Sequence, residues 1–286
     1  MPRTPTCILT GTAAPLTADG HATDRFVEIG SLTKVLTGTA LMRMCTAGAL
    51  HLDDPLERWL PVPRTGITLR HLAQHTSGLP RLPPGLSSLD PYAAFTGNSL
   101  SGLLLRLDEI TLRPAGMQEE YSNLGYAVLG AALMAAAGKP YEELLNEHVL
   151  APLEISEITA SPAPERRLDA PGWFGRTRRP WTMGGAILPA GGMWATPRAL
   201  ARLVPALLLE RRFGMPAPSW QKSGSLLWHN GATRNASTFA GAMADGRWVV
   251  VHRLNGKPTD TDKEALRLLA GQSAAESDTS QNSEGR

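Results

Sequence analysis

The chain has 286 residues, a formal charge of +2, 42% hydrophobic and 19% charged residues. That is enough to bury a large core, ordinary for a water-soluble globular protein, and no basis for a nucleic-acid or membrane partner. Its two cysteines, Cys7 and Cys45, have no C-x-x-C spacing, which excludes a disulfide framework and a cysteine zinc site.

The start of the chain lacks an apolar stretch of seven or more residues, and no run of about twenty apolar residues follows, so the chain reads as cytoplasmic. Thr6 to Gly11 and Arg25 to Ile29 read as short strands around the turn Ala18-Asp19-Gly20. A helix begins at Ser31 and fades near Gly48, with apolar residues spread around its axis as in a mostly buried helix. Asp53-Asp54-Pro55 suggests another short helix start, and Thr68 to His75 a further helix. His71 and His75 stand four apart, but with no Glu in an H-E-x-x-H arrangement and no third ligand nearby, no metal site is expected.

Residues 80 to 91, rich in Pro, read as a loop, and Leu100 to Asp108 as a helix. Leu124 to Ala137 is a strongly apolar helix closed by Gly138, followed by another from Pro140 to Val149. Residues 160 to 185 read as loop, and their basic patch Arg176-Thr177-Arg178-Arg179 as a solvated stretch. Thr196-Pro197 starts a helix to about Glu210. Ser225 to His229, Thr238 to Ala244 and Arg247 to Leu254 are strands, the last two joined by a hairpin at Asp245-Gly246. Asp260 to Ala270 is a last helix, and 273–286 a polar tail expected to be disordered. Strands at both ends with helices between imply an α+β fold. One discontinuous α/β domain would comprise 1–50 and 185–272, with a mostly helical domain at 51–184 inserted in it.

Three motifs carry chemistry. In Ser31-Leu32-Thr33-Lys34 the hydroxyl and the amine lie three residues apart on one helical face, the minimum for an activated serine. Tyr121-Ser122-Asn123 adds a phenol able to move a proton and an amide with both a donor and an acceptor. His229-Asn230-Gly231-Ala232, ending a strand, offers close backbone approach and an N–H for a developing oxyanion. Each alone also fits an ordinary cap, a packed tyrosine or a turn.

In this order, S-x-x-K, Y-x-N and H-x-G resemble the serine β-lactamase and penicillin-binding protein superfamily. The closer likeness is to the class C β-lactamase branch with its esterases, D-aminopeptidases and transacylases. LDDPLERWLP, ITLRHLAQHTSGLP, YSNLGYAVLG, GGMWATPRALARL and HNGAT read as family segments in family order, over about residues 26 to 256. The resemblance implies a β-lactamase/transpeptidase-like fold, an antiparallel sheet flanked by helices. It also implies that Ser31 is the acylated nucleophile, with Lys34 and Tyr121 sharing the acid–base work. The backbone N–H groups of Ser31 and Ala232 would form the oxyanion hole, and His229 stands where many relatives have Lys. Asn123, Asn230 and Gly231 would contact substrate, Asn123 also reaching Lys34, and no metal or cofactor is implied; Arg234, which departs from the family pattern, is either a carboxylate-binding cation at the substrate or a surface residue.

The base stays open between two assignments. A neutral Lys34 requires its pKa to fall by about three units, roughly 4 kcal/mol, and the alternative is a tyrosinate at Tyr121. Three departures bear on substrate: only about thirty residues precede Ser31, His229 titrates near neutrality where relatives carry a fixed charge, and Arg234-Asn235 replace a frequent Gly pair. The expected function is a serine hydrolase acting on a small-molecule ester or amide. The same acyl-enzyme passed to an alcohol or amine would make it an acyltransferase. A β-lactamase and a catalytically silent binding homologue are further alternatives, the latter opposed by the intact Ser31, Lys34, Tyr121 and His229. If His229 must be protonated to bind an anionic substrate, kcat/KM falls as pH rises through about 6–7.

Overall fold

Antiparallel pairing joins the two ends of the chain in a computed structural model that describes residues 4–86, 89–172, 174 and 176–281. Strand β1 (Thr6–Thr10) pairs with β2 (Leu16–Ala18) on one side. The short β3 (Val27–Glu28) leads into a 3-10 turn, Gly30–Leu32, and then helix α1 (Thr33–Thr46). The middle of the chain holds α2 (Leu69–Ala73), α3 (Gly97–Leu104), α4 (Leu107–Ile110), α5 (Asn123–Ala137) and α6 (Tyr141–Leu145). After β4 (Ile158–Thr159) come α7 (Leu188–Gly191), β5 (Trp194–Ala195) and α8 (Pro197–Leu208). The chain then returns as β6 (Gln221–Ser223), β7 (Leu226–Ala232), β8 (Ala236–Met243) and β9 (Trp248–Leu254), and ends in α9 (Pro258–Gln281). The large sheet runs β2-β1-β9-β8-β7-β6, and a small one β3-β5-β4.

The period of two along the central strands sends alternate side chains to opposite faces. Val249, Val251 and Phe239 pack with Ala265 and Leu269 of α9. Ala240, Ala242 and Val250 face the main core, which also takes Val35, Leu36 and Leu41 of α1 and Leu203 of α8. Because helices cover both faces, β8 is buried along nearly its whole length. The hairpin at Asp245-Gly246 forms as expected, with Met243 N donating to Arg247 O at 2.7 Å and Gly246 at φ +98°.

Helix α5 obeys its signals. Ser122 Oγ accepts from Gly125 N at 2.8 Å, and Gly138 closes the far end at φ +63°. At its middle, Gly130 lies directly against the Pro189 ring of α7. Thr196 caps α8 with Pro197 in its first turn.

Several expectations change. Leu100 to Asp108 is two helices, with Arg106 non-helical between them. Asp54 caps no helix: its carboxylate binds His51 N and Arg58, and only a 3-10 turn, Leu56–Arg58, follows. Strands β2, β4, β5 and β6 were not expected, since two- or three-residue strands carry no readable alternation. Helix α9 runs to Gln281, past the expected end at Ala270, and 282–286 of the expected tail lie outside the described residues. Ala274, Ala275 and Glu276 are good helix formers, with no proline to stop them. Among the described residues no helix is long and apolar enough to cross a membrane.

The α5–α7 contact leaves no space for a Cβ at Gly130. Gly130→Ala is expected to destabilise the fold by about 1–3 kcal/mol. Thermal unfolding followed by circular dichroism checks this, an unchanged Tm showing that α5 and α7 separate without cost.

Candidate active site

Ser31 sits on a turn that two glycines allow. Gly30 adopts φ +53°, and a Cβ there would lie 2.8 Å from both N and O of Ala232 in β7. A Cβ at Gly231 would overlap Ile29 O. Backbone therefore lies on backbone, which brings the Ser31 turn beside Ala232 as the expected oxyanion pair requires. Thr33 locks the turn from inside, its Oγ1 donating to Gly30 O at 2.7 Å and accepting from Met193 N at 3.2 Å.

Ser31 is not the helix cap its position suggests. It lies in the 3-10 turn, and α1 starts at Thr33 with Leu32 as an N-cap that makes no side-chain bond. Its hydroxyl is thus free of the backbone and is held by two side chains instead. Lys34 Nζ stands 3.2 Å from Ser31 Oγ, and Tyr121 OH donates to the same oxygen at 2.6 Å.

Lys34 is wholly buried. Its Nζ donates to Asn123 Oδ1 at 2.8 Å and to Ala190 O at 2.6 Å, and it forms no ion pair among the described residues. Burial, with the Arg81 charge second, holds its pKa well below the usual lysine value. Tyr121 moves the other way. Burial pushes its phenol up to about 12, against smaller opposing effects of the Ser31 hydrogen bond and Arg81. A neutral amine beside a protonated phenol is the arrangement these environments favour, not a tyrosinate.

Asn123, first residue of α5, gives its Oδ1 to Lys34 and its Nδ2 to Tyr92 OH at 3.2 Å. His229 is 1% exposed, and its Nδ1–H donates to Asn230 O at 2.6 Å. Burial, then the proximity of Lys34, push its pKa down to about 4. This corrects the expectation that it titrates near neutrality: the ring is neutral at pH 7. With Tyr121, His75, Gln74, Trp220 and Lys222 it lines a cavity of about 570 Å³.

Other substrate candidates are corrected too. Asn230 follows His229 on a strand and so faces the opposite side of the sheet, where its Nδ2 donates to Asp262 Oδ2 of α9 at 2.9 Å. Gly231 packs on Ile29, which allows the close approach of β7 to the Ser31 turn. Arg234 is exposed on the turn between β7 and β8 and does not line that cavity.

Three residues escaped the sequence reading. Arg81 lies with its guanidinium 5.1 Å from the Tyr121 ring centre, and Tyr92 holds Asn123; both come from a proline-rich loop with no periodicity to read. His75 was weighed only as a metal ligand. In fact α2 ends at Ala73, and His75, at φ +59°, turns away from His71. It brackets Tyr121: His75 O accepts from Glu120 N at 2.7 Å, and Nδ1 accepts from Ser122 N at 3.1 Å. Its ring lies 4.6 Å from that of Tyr121 and 5.0 Å from that of Tyr126. Burial, then Lys34 and His229, lower its pKa to about 3, so it too is neutral.

The sequence model of the family described as Beta-lactamase matches residues 11–275. The chain is 35% identical over 188 residues to the D-alanyl-D-alanine-carboxypeptidase/endopeptidase AmpH of Escherichia coli (strain K12), covering 63% of this chain and 48% of the relative. It is 28% identical over 137 residues to Penicillin-binding protein 4* of Bacillus subtilis, covering 47% and 30%. The chain thus spans about half or less of the length of these curated relatives. Among solved structures, a beta-lactamase/D-alanine carboxypeptidase from Yersinia pestis superposes with a TM-score of 0.73 at 22% identity, covering 93% of each chain. The D-amino acid amidase from Ochrobactrum anthropi SV3 does so with 0.74 at 19%, covering 94% and 95%. At these identities the likeness establishes the β-lactamase/transpeptidase-like fold.

The His75 bracket predicts a cost at Ser31. His75→Ala removes the ring and the acceptor for Ser122 N, and is expected to slow acylation by a chromogenic ester on the order of 10–100-fold. His75→Asn, which tolerates a positive φ and retains an acceptor, is expected to recover part of that rate. Equal rates in the wild type and the alanine variant would show that Tyr121 is held without the bracket.

Proposed function

The chain belongs to the Beta-lactamase family, and from that premise we propose that it is a serine hydrolase cleaving a small ester or amide through an acyl-enzyme on Ser31. One observation carries the reading: Ser31 Oγ lies between a buried amine, with no carboxylate partner among the described residues, and a half-buried phenol.

As a neutral amine, Lys34 has two N–H bonds and one lone pair. Asn123 Oδ1 and Ala190 O take the two N–H bonds, and the lone pair is left for Ser31. As Oγ attacks the substrate carbonyl carbon, its proton passes to Lys34 Nζ, and the carbonyl oxygen gains charge between the N–H groups of Ser31 and Ala232. A single such donor is typically worth about 10²–10³ in rate. When the intermediate collapses, the bond from carbon to the leaving group breaks. Tyr121 gives its proton to the leaving atom and regains one that originates on Lys34. The acyl group remains on Ser31, and an incoming hydroxyl or amine reverses the sequence.

The cavity at Tyr121 and His229 is the space for the departing and entering groups, since Tyr121 is the proton donor and lies in its wall. Water as acceptor makes the protein a hydrolase. Its volume of about 570 Å³ also admits an alcohol or amine, and this favours acyl transfer as the second reading.

Two measurements test the scheme. Incubation with a short-chain chromogenic ester is expected to leave an acyl adduct detectable by mass spectrometry, absent in Ser31→Ala; an adduct that persists in that variant would sink the assignment. Repeating the reaction with added alcohols and amines separates hydrolysis from transfer by the product formed. In the pH profile, kcat/KM is expected to rise as Lys34 loses its proton, with the same limb in His229→Gln, because His229 is already neutral above about 4. A limb near 6–7 that vanishes in His229→Gln would restore His229 as the titrating group.

A further inference from the structure

We infer that Arg81 determines substrate specificity by pairing with an anionic group on the acyl chain of the donor, so that this site prefers acyl donors ending in a carboxylate. The inference rests on the acyl-enzyme reading and adds a substrate class to it.

Lys34, His75 and His229 face Ser31 or Tyr121, and burial favours the neutral form of each. Arg81 is different: it is exposed, and a guanidinium keeps its proton at every working pH. Its centre stands 5.1 Å from the Tyr121 ring, whose hydroxyl is 2.6 Å from Ser31 Oγ. Its charge is felt at Lys34, Tyr92 and Tyr121 alike, which places it over the mouth of the site.

That charge has no ion pair among the described residues. Stacking over Tyr121 occupies one face of the guanidinium and leaves its edge donors available for a carboxylate fork. The chain direction says which part of the substrate it meets. Arg81 O accepts from Asn123 N at 2.9 Å, so Arg81 sits beside Asn123 and Tyr92. It does not line the cavity at Tyr121 and His229 where the leaving group departs; the cation in that wall is Lys222. An anion on the acyl chain, not one on the leaving group, comes within its reach.

The test compares two esters with one leaving group: mono-4-nitrophenyl glutarate, whose acyl chain ends in a carboxylate, and 4-nitrophenyl hexanoate, which is neutral and of similar length. The quantity read is the ratio of kcat/KM for the glutarate to that for the hexanoate. Any effect of Arg81 through Lys34 or Tyr121 acts on both esters and cancels in this ratio. Arg81→Ala is expected to lower the ratio by about tenfold or more, and Arg81→Lys to restore part of it. A ratio unchanged in Arg81→Ala overturns the inference while leaving the hydrolase reading standing. Failure of the wild type to turn over either ester, with no adduct on Ser31, overturns the hydrolase reading itself.

Discussion

The site depends on one unusual burial: the Lys34 amine lies wholly inside the protein and, among the described residues, has no carboxylate to pair with. An ammonium in that position would pay a large desolvation cost, so the fold favours the neutral amine. The consequence for stability has a definite sign. The unfolded chain holds a proton at Lys34 more tightly than the folded chain does, so below the ordinary lysine pKa this residue opposes folding, increasingly as pH falls toward the lowered folded value. The fold supplies its acceptors from two places far apart in the chain, the first residue of α5 and the carbonyl of Ala190 in α7. Helices α1, α5 and α7 must meet closely for this, and Gly130 against Pro189 is what lets α5 and α7 do so.

The second constraint is backbone on backbone. The Ser31 turn touches β7 through Gly30 and Gly231, and neither position has room for a side chain. Strand β7 is in turn held by β8, and β8 by β9, both packed between helices on either face. Ser31 is thus referred to the sheet rather than to a loop, its turn held beside Ala232 by the close backbone approach at Gly30 and Gly231. The strand also sorts its residues by parity. His229 and Gly231 face the Ser31 turn, while Asn230 faces α9 and bonds Asp262.

Parity also explains what the sequence could and could not reveal. Helix α5 was legible because Gly138 and an unbroken apolar run are local signals, as were Thr196-Pro197 and the Asp245-Gly246 hairpin. The pairing of Ser31 with Lys34 follows from three-residue spacing alone. Asn230 was misplaced because a motif read as a string ignores the alternation of a strand. Arg81, Tyr92 and His75 were illegible for a different reason: each is placed by loop paths that end near Tyr121, and no pattern in the loop itself encodes the end point. The tyrosinate alternative fell only when burial was known, since a nearby cation lowers a phenol's pKa but desolvation raises it further.

These neutral groups give the proposed chemistry its direction. Before reaction the groups in contact with Ser31 carry no charge: the amine, the phenol and the two histidines behind them are all held neutral by burial. In the proposed scheme attack would create two charges at once, an oxyanion at the backbone amides and an ammonium at Lys34. In a poorly polarisable surrounding, opposite charges that appear together attract strongly, whereas a pre-existing ammonium would already have its solvation paid in the ground state. The amide donors and the oxygens of Asn123 and Ala190 are fixed before the charges form, so little reorganisation accompanies them. Burial of Lys34 therefore costs the folded protein stability but leaves an amine able to accept a proton, and the fixed oxygens of Asn123 and Ala190 offset the cost of the ammonium that would form.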